Sequence, residues 1–355
     1  MAKLTRNTRI LVGASAICML AMQISANAGE IVVMGYSDSA FQDNFLREVV
    51  NPFMEEHPEI KVNYFPVLNA ATALGQLRAQ KAAPQADLVV FDLSIANLAK
   101  QEDLIGDFDV GQMKNVGDLG KIGRQLGDSG LPFTYDTIGL AYATDAVSTP
   151  PESWNVMWDP AYKGKVVVSA RSDVQATAFS VIVDKMMGGT DYLNNLDKGY
   201  ERLIELAPNV QTWEPKPDQY TLLANGSAAL STGWNARNQQ YALRTGGKVG
   251  AVTPADGTVA AINVLSPIKG SANQADAVVF ADYAISSEVQ KRWSAATFYS
   301  PTNVKVELPA ELQARIPLLD PKLAEGVIDV DWIALSDKRE GILATWKRRI
   351  IPASR

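Results

Sequence analysis

The chain has 355 residues, is 47% hydrophobic and carries 33 basic against 39 acidic side chains. Three of the basic residues and none of the acidic ones fall in the first 28 positions, so the rest has a net charge of −9, which repels nucleic acid and anionic membrane. One histidine and one cysteine exclude a disulfide, a Cys-based metal site and most imidazole catalysis, so no metal and no cofactor is expected.

Lys3, Arg6 and Arg9 precede an apolar run over 10–24 that ends in Ala26-Asn27-Ala28. A basic start, an apolar middle and small residues at an A-x-A site form a secretory signal, cut after Ala28 with Ala26 as the other small residue. A run of about 15 residues is too short to cross a hydrocarbon layer about 30 Å thick, so a soluble, exported (periplasmic) protein starting at Gly29 is expected. Cys18 lies inside this signal, and Ile17 before it is too large for a lipoprotein attachment site. His57 sits in Glu55-Glu56-His57-Pro58-Glu59, a charged surface turn rather than a cleft.

The 327 residues that remain are enough for two domains. Residues 30–34 read as a strand, Gly35-Tyr36-Ser37-Asp38 as a loop and 41–56 as a helix. An alternating strand over 60–65, a helix over 69–80 and a buried strand over 86–91 follow. Strands alternating with helices imply an α/β fold with mainly parallel sheets. The rhythm returns with a strand at 166–168 and a helix over 169–187, then with 228–231 leading through Gly233-Trp234-Asn235 into another helix. Between and after these units, 132–142 and 258–265 are extended and β-branched, each suited to run from one lobe to the other as a two-strand hinge. The division predicted is a first lobe over 29–136, a second over 137–264 and a return to the first over 265–355, with Lys347-Arg348-Arg349 as the basic last turn of a terminal helix.

From Pro151 onward a series of words becomes recognisable: Pro151-Glu152-Ser153-Trp154, Trp158-Asp159-Pro160-Ala161-Tyr162-Lys163-Gly164-Lys165, Pro208-Asn209-Val210, Gly233-Trp234-Asn235, Pro254-Ala255-Asp256-Gly257, Tyr299-Ser300-Pro301-Thr302-Asn303 and Asp331-Trp332. In their order and spacing the chain resembles the extracytoplasmic substrate-binding proteins of ABC importers, of the spermidine/putrescine type. The resemblance implies a two-lobed periplasmic binding protein, type II-like, that closes on a small solute and delivers it unaltered to ABC permease subunits. It implies a monomer and no enzyme chemistry.

The polyamine-binding members hold ammonium groups with carboxylates, and here two of the expected positions differ: Ser169-Ala170-Arg171-Ser172-Asp173 and Ala260-Ala261-Ile262-Asn263 stand where acids and an aromatic are typical. Arg171, between a strand and a helix N-terminus, either offers its fork to a carboxylate or pairs with Asp173. The first alternative favours a zwitterion such as an amino acid, an ω-amino acid like γ-aminobutyrate, or an opine. A second reading of the same fold is a polyamine receptor, with Asp38, Asp92 and Asp173 as anchors and Arg171 facing away. The remaining candidates for the cleft are Tyr36, Ser37, Ser94, Trp234, Asn235 and Asn263, with Asn69 and Thr72 more simply explained as a helix cap. An exported enzyme working with two carboxylates is a third class of reading, although no acid pair stands out.

Overall fold

The computed structural model describes residues 29–170 and 174–354. Strand β1 (Gly29–Tyr36) leads into helix α1 (Ser39–Phe45), a π-helical turn (Leu46–Val50) and α2 (Asn51–Glu56). The expected single helix over 41–56 is thus continuous but widened in its middle. The cause is Pro52, which lacks an N–H and would strike the carbonyl four residues earlier. A turn in which Asn51 N–H reaches back to the Leu46 carbonyl absorbs the conflict.

β2 (Ile60–Val67), α3 (Ala70–Ala79), β3 (Leu88–Asp92) and α4 (Leu93–Gln101) complete the first unit, with β2 and β3 both parallel to β1. The next strand, β4 (Leu131–Ala143), is buried along its whole length. The second unit runs through β5 (Val166–Val167), α5 (Val174–Met186), α6 (Asp197–Leu206), β6 (Val210–Thr212), α7 (Gln219–Ala224), β7 (Leu230–Trp234), α8 (Asn235–Arg244) and β8 (Val249–Val252). Here β6 and β7 lie parallel to β5. β9 (Thr258–Pro267) carries the chain back to α9 (Gln274–Ala284), α10 (Ser287–Thr297) and β10 (Ser300–Pro301), followed by the short α11 (Ala310–Gln313), α12 (Pro321–Ala324) and β11 (Val327–Ile328), and by α13 (Trp332–Thr345).

β4 makes the fold two-lobed, because one strand serves two sheets. Its first half, from Leu131 to Thr137, pairs antiparallel with β9, which in turn pairs with β3. Its second half pairs with β7 through Ile138–Trp234 to Tyr142–Leu230, and with β8 on its other edge. The two extended segments singled out in the sequence are these crossing strands. A further link comes from α13, whose Ser336 accepts from Asn97 of α4 at 2.9 Å, while Trp346 just beyond it donates to Ser180 of α5 at 2.8 Å.

Several of the family-like words turn out to be scaffold. Asp256 accepts from the Ser153 hydroxyl and the Trp154 amide, both at 2.6 Å, and Trp154 Nε1 donates to the Gly257 carbonyl. Thr302 donates to the Pro132 carbonyl at 2.9 Å, and Trp332 Nε1 to the Ala260 carbonyl at 2.7 Å, so each anchors a tail segment to a crossing strand. Trp and Asp recur at these junctions because each pins an irregular segment by a buried hydrogen bond while the indole adds apolar area.

The first lobe's core is a ring cluster in which Trp293 meets Phe41, Phe45, Phe133 and Tyr299 at centroid distances of 5.2–6.0 Å. Trp293 is fully buried. Trp293→Ala should cost about 3–5 kcal/mol of unfolding free energy through the cavity it leaves. Urea denaturation of the purified protein checks this, and a loss below about 1 kcal/mol would contradict the packing described.

Candidate functional site

In both lobes the parallel strands end on the same side and face one another. The ends of β1, β2 and β3 deliver Tyr36, Asn69 and Asp92, the end of β7 delivers Trp234 and the first turn of α7 delivers Tyr220, around a cleft of about 460 Å³. The carboxyl ends of parallel strands collect loops and helix N-termini, which is why ligands of open α/β sheets bind there. The middle of the two crossing strands forms the floor, with Asp136 from β4 and Ala261 and Asn263 from β9.

Its electrostatics centre on Arg237, in the first turn of α8. Its Nε donates to Asp38 Oδ1 at 3.1 Å and its Nη2 to Asp38 Oδ2 at 2.6 Å, a two-point pair between residues of opposite lobes. Burial acts to raise the Asp38 carboxyl, and the Arg237 charge and hydrogen bonds outweigh it, holding the group below the usual carboxylate range. Asp38 also caps α1 through the Phe41 amide. The Arg237 side chain also lines the cleft and is about one-fifth exposed.

Asp136 is in the opposite condition. Only 7% of its surface is exposed. Its Oδ1 accepts from the Thr137 amide at 2.8 Å and from the Ala236 amide at 3.1 Å, so it caps α8 from another strand. Its Oδ2 is buried with no hydrogen-bond partner among the described residues. Burial pushes this carboxyl up to about 7, against the pull of the Ala236 amide and the Arg237 charge.

The rings that line the cleft are braced from behind. Tyr36 lies edge-on to Phe41 at 5.1 Å, Tyr299 stacks on Trp293 at 5.5 Å, and Tyr220 stacks on Tyr241 at 4.3 Å. Burial pushes the pKa of the Tyr220 and Tyr299 phenols up, so both keep their protons and present O–H groups. Aromatic faces with a few fixed polar groups suit a small guest with an aliphatic stem and charged ends.

Residues 48–318 match the family of bacterial extracellular solute-binding proteins. The chain belongs to that family. It is 25% identical over 220 residues to a gamma-aminobutyric acid-binding protein of Pseudomonas aeruginosa, covering 59% of this chain and 61% of that relative's length, so the likeness spans under two thirds of it. It is 22% identical over 253 residues to the spermidine/putrescine-binding periplasmic protein of Escherichia coli, covering 69% of this chain and 71% of the other. Among solved structures, the binding protein AgtB of A. tumefaciens R10 in complex with agropinic acid superposes with a TM-score of 0.76 at 17% identity, over 91% of this chain and 99% of that one. Among the described residues no helix is long and apolar enough to cross a membrane.

Against this family frame, the expected site residues divide. Tyr36, Asp38, Asp92, Trp234 and Asn263 all line the cleft. Asp38, expected to hold an ammonium, is instead spent on Arg237. Ser37 does not line the cleft; it is exposed, and its amide extends the β1–β2 pairing by donating to the Val67 carbonyl. Ser94 is buried in α4, in a small recess beside Val174 and Trp332. Asn235 is turned away, its amide donating to the Arg315 carbonyl at 2.9 Å and its oxygen accepting from Gln239. Asn69 caps α3 through Thr72 as foreseen, and also lines the cleft. Arg171 and Asp173 lie outside the described residues.

Asp136 and Arg237 went unremarked in the sequence, although each carries a signal. Asp136 is the lone acid in a strand that otherwise reads as buried, where an ionisable group is costly. Arg237 stands in the first turn of a helix, where the dipole disfavours a cation. A carboxyl whose folded value is raised contributes most below its unfolded value near 4, and that contribution is lost as pH rises through about 7. Asp136→Asn keeps an oxygen for the Ala236 amide, so the unliganded variant should gain stability above pH 7, at most about 4 kcal/mol, and gain nothing near pH 4. Thermal melts across that range check it; equal gains at both ends would refute the buried-charge account.

Proposed function

We propose that the protein is the extracytoplasmic receptor of an ABC importer, taking a small zwitterionic solute such as an amino acid, γ-aminobutyrate or an opine, and handing it unaltered to membrane permease subunits. One observation carries the reading: a cleft between two lobes that sets a guanidinium against buried carboxylate, with braced rings between them. In this reading Arg237, which lines the cleft, meets the solute carboxylate. The lobes meet near residues 137 and 258, where the Thr258 hydroxyl donates to the Ile138 carbonyl, and rotation about β4 and β9 opens and closes the cleft. The receptor acts as a monomer in the periplasm, with no cofactor and no catalytic step. The binding of gamma-aminobutyric acid by the P. aeruginosa relative, and of agropinic acid by the A. tumefaciens structure, supports this choice of solute class.

A polyamine is the second reading, favoured by the carboxylates of Asp92 and Asp136 in the cleft and by the E. coli relative. Titration of the protein from Gly29 onward with γ-aminobutyrate and with putrescine separates the two. The preferred solute should raise unfolding free energy by about 2.7 kcal/mol at a hundredfold excess over Kd. The same solute should shrink the radius of gyration in X-ray scattering. Stabilisation by putrescine alone would decide for the polyamine, and a rigid profile with every amine would dismiss lobe closure.

A further inference from the structure

Several buried polar atoms gather at the floor and second-lobe wall of the cleft without partners among the described residues: Asp136 Oδ2, the Tyr220 hydroxyl and both polar side-chain atoms of Asn238. They adjoin one another. A methyl group placed on Gly233 would touch Asn238 and come within 2.8 Å of the Tyr220 hydroxyl, and Asp136 is near enough to act electrostatically on Tyr220. Asp136 and Tyr220 open onto the cleft, while Asn238 lies fully buried behind them. A buried carboxylate oxygen with no partner is expensive, and a fold retains it where a guest supplies the missing donor.

We propose that Asp136 is the anchor for the solute's ammonium group, which its Oδ2 receives with the Tyr220 hydroxyl beside it. The proposal rests on the reading of the cleft as an amine-solute site and names the residue that selects the amine. The charged and titratable groups around Asp136 leave this role to it. From α8, Arg237 is turned to Asp38; from α7 and from the segment after α10, Tyr220 and Tyr299 stay protonated; and Asp38 and Asp92 face it from the ends of β1 and β3. An ammonium neutralises the buried charge and offers three donors to a recess of acceptors. A neutral hydroxyl at the same place would leave Asp136 protonated.

The consequence is proton-coupled capture. A carboxyl near 7 in the free protein must be ionised to hold a cation, so affinity for an amine should be about tenfold weaker at pH 6 than at pH 8. Calorimetry of the protein from Gly29 onward should therefore use γ-aminobutyrate, butyrate and putrescine, at both pH values and in buffers of different ionisation enthalpy. Wild type should bind an amine far more tightly than butyrate and release a proton on binding at pH 6. Asp136→Asn, which keeps the α8 cap, should lose affinity at least thirtyfold and lose the pH dependence. Tyr220→Phe should bind several-fold more weakly with the pH dependence intact. An amine bound by Asp136→Asn within twofold of wild type, or a wild-type affinity flat with pH, would overturn the assignment while leaving the receptor reading in place. Binding of no amine by wild type would overturn both.

Discussion

Everything in this fold depends on β4 being long enough to belong to two sheets. Thirteen residues extended at about 3.3 Å each reach across the molecule, so Leu131–Thr137 pair with β9 in one lobe and Ile138–Tyr142 with β7 in the other. Because β4 is paired on both sides of the crossover, it forms the floor of the cleft while the walls are carried on separate sheets. The point at which β4 changes partners falls between Thr137 and Ile138, beside Asp136. The residue aimed into the cleft therefore stands at the junction of the two sheets.

The two charged features of the site are complementary in their cost. Arg237 and Asp38 neutralise each other across the lobes, and Asn44 to Gln240 at 3.0 Å adds a neutral bond in the same direction. These contacts favour the lobes staying together, by amounts that solvent around the half-exposed Asp38 keeps modest. Asp136 instead stores an unfavourable burial that a guest relieves. A receptor needs both properties: enough attraction to close, and an unsatisfied recess that makes closure with the right solute better than closure without it.

The architecture was legible because it follows from local periodicity. Strand and helix alternate visibly through Val89-Val90-Phe91 and Val166-Val167, and the β-branched runs that become β4 and β9 could be told from helix by composition alone. The lining of the cleft was legible chiefly where a loop follows a strand, as at Tyr36, Asp92 and Trp234, because the ends of parallel strands are where ligands bind, and also at Asn263 in the crossing strand β9. Ser94 and Asn235 share that address and fail, since one more residue along a helix turns a side chain by about 100° and takes it off the cleft. Asp38 was placed correctly and misread in role, because its partner lies 199 positions away.

The amino-acid sequence by itself determined the α/β class, the two crossing strands, the place of His57 at a helix end outside the cleft and the membership of a solute-binding family, since each is set by short-range pattern or by words that hold the scaffold together. Tertiary structure alone decided which charges meet. Arg237 with Asp38, and Asp136 with the first turn of α8, are products of two sheets sharing one strand, and no spacing along the chain encodes them. The physical reason is that hydrophobic periodicity acts over a few residues, whereas the energy of a buried charge depends on what the rest of the fold places within a few ångströms of it.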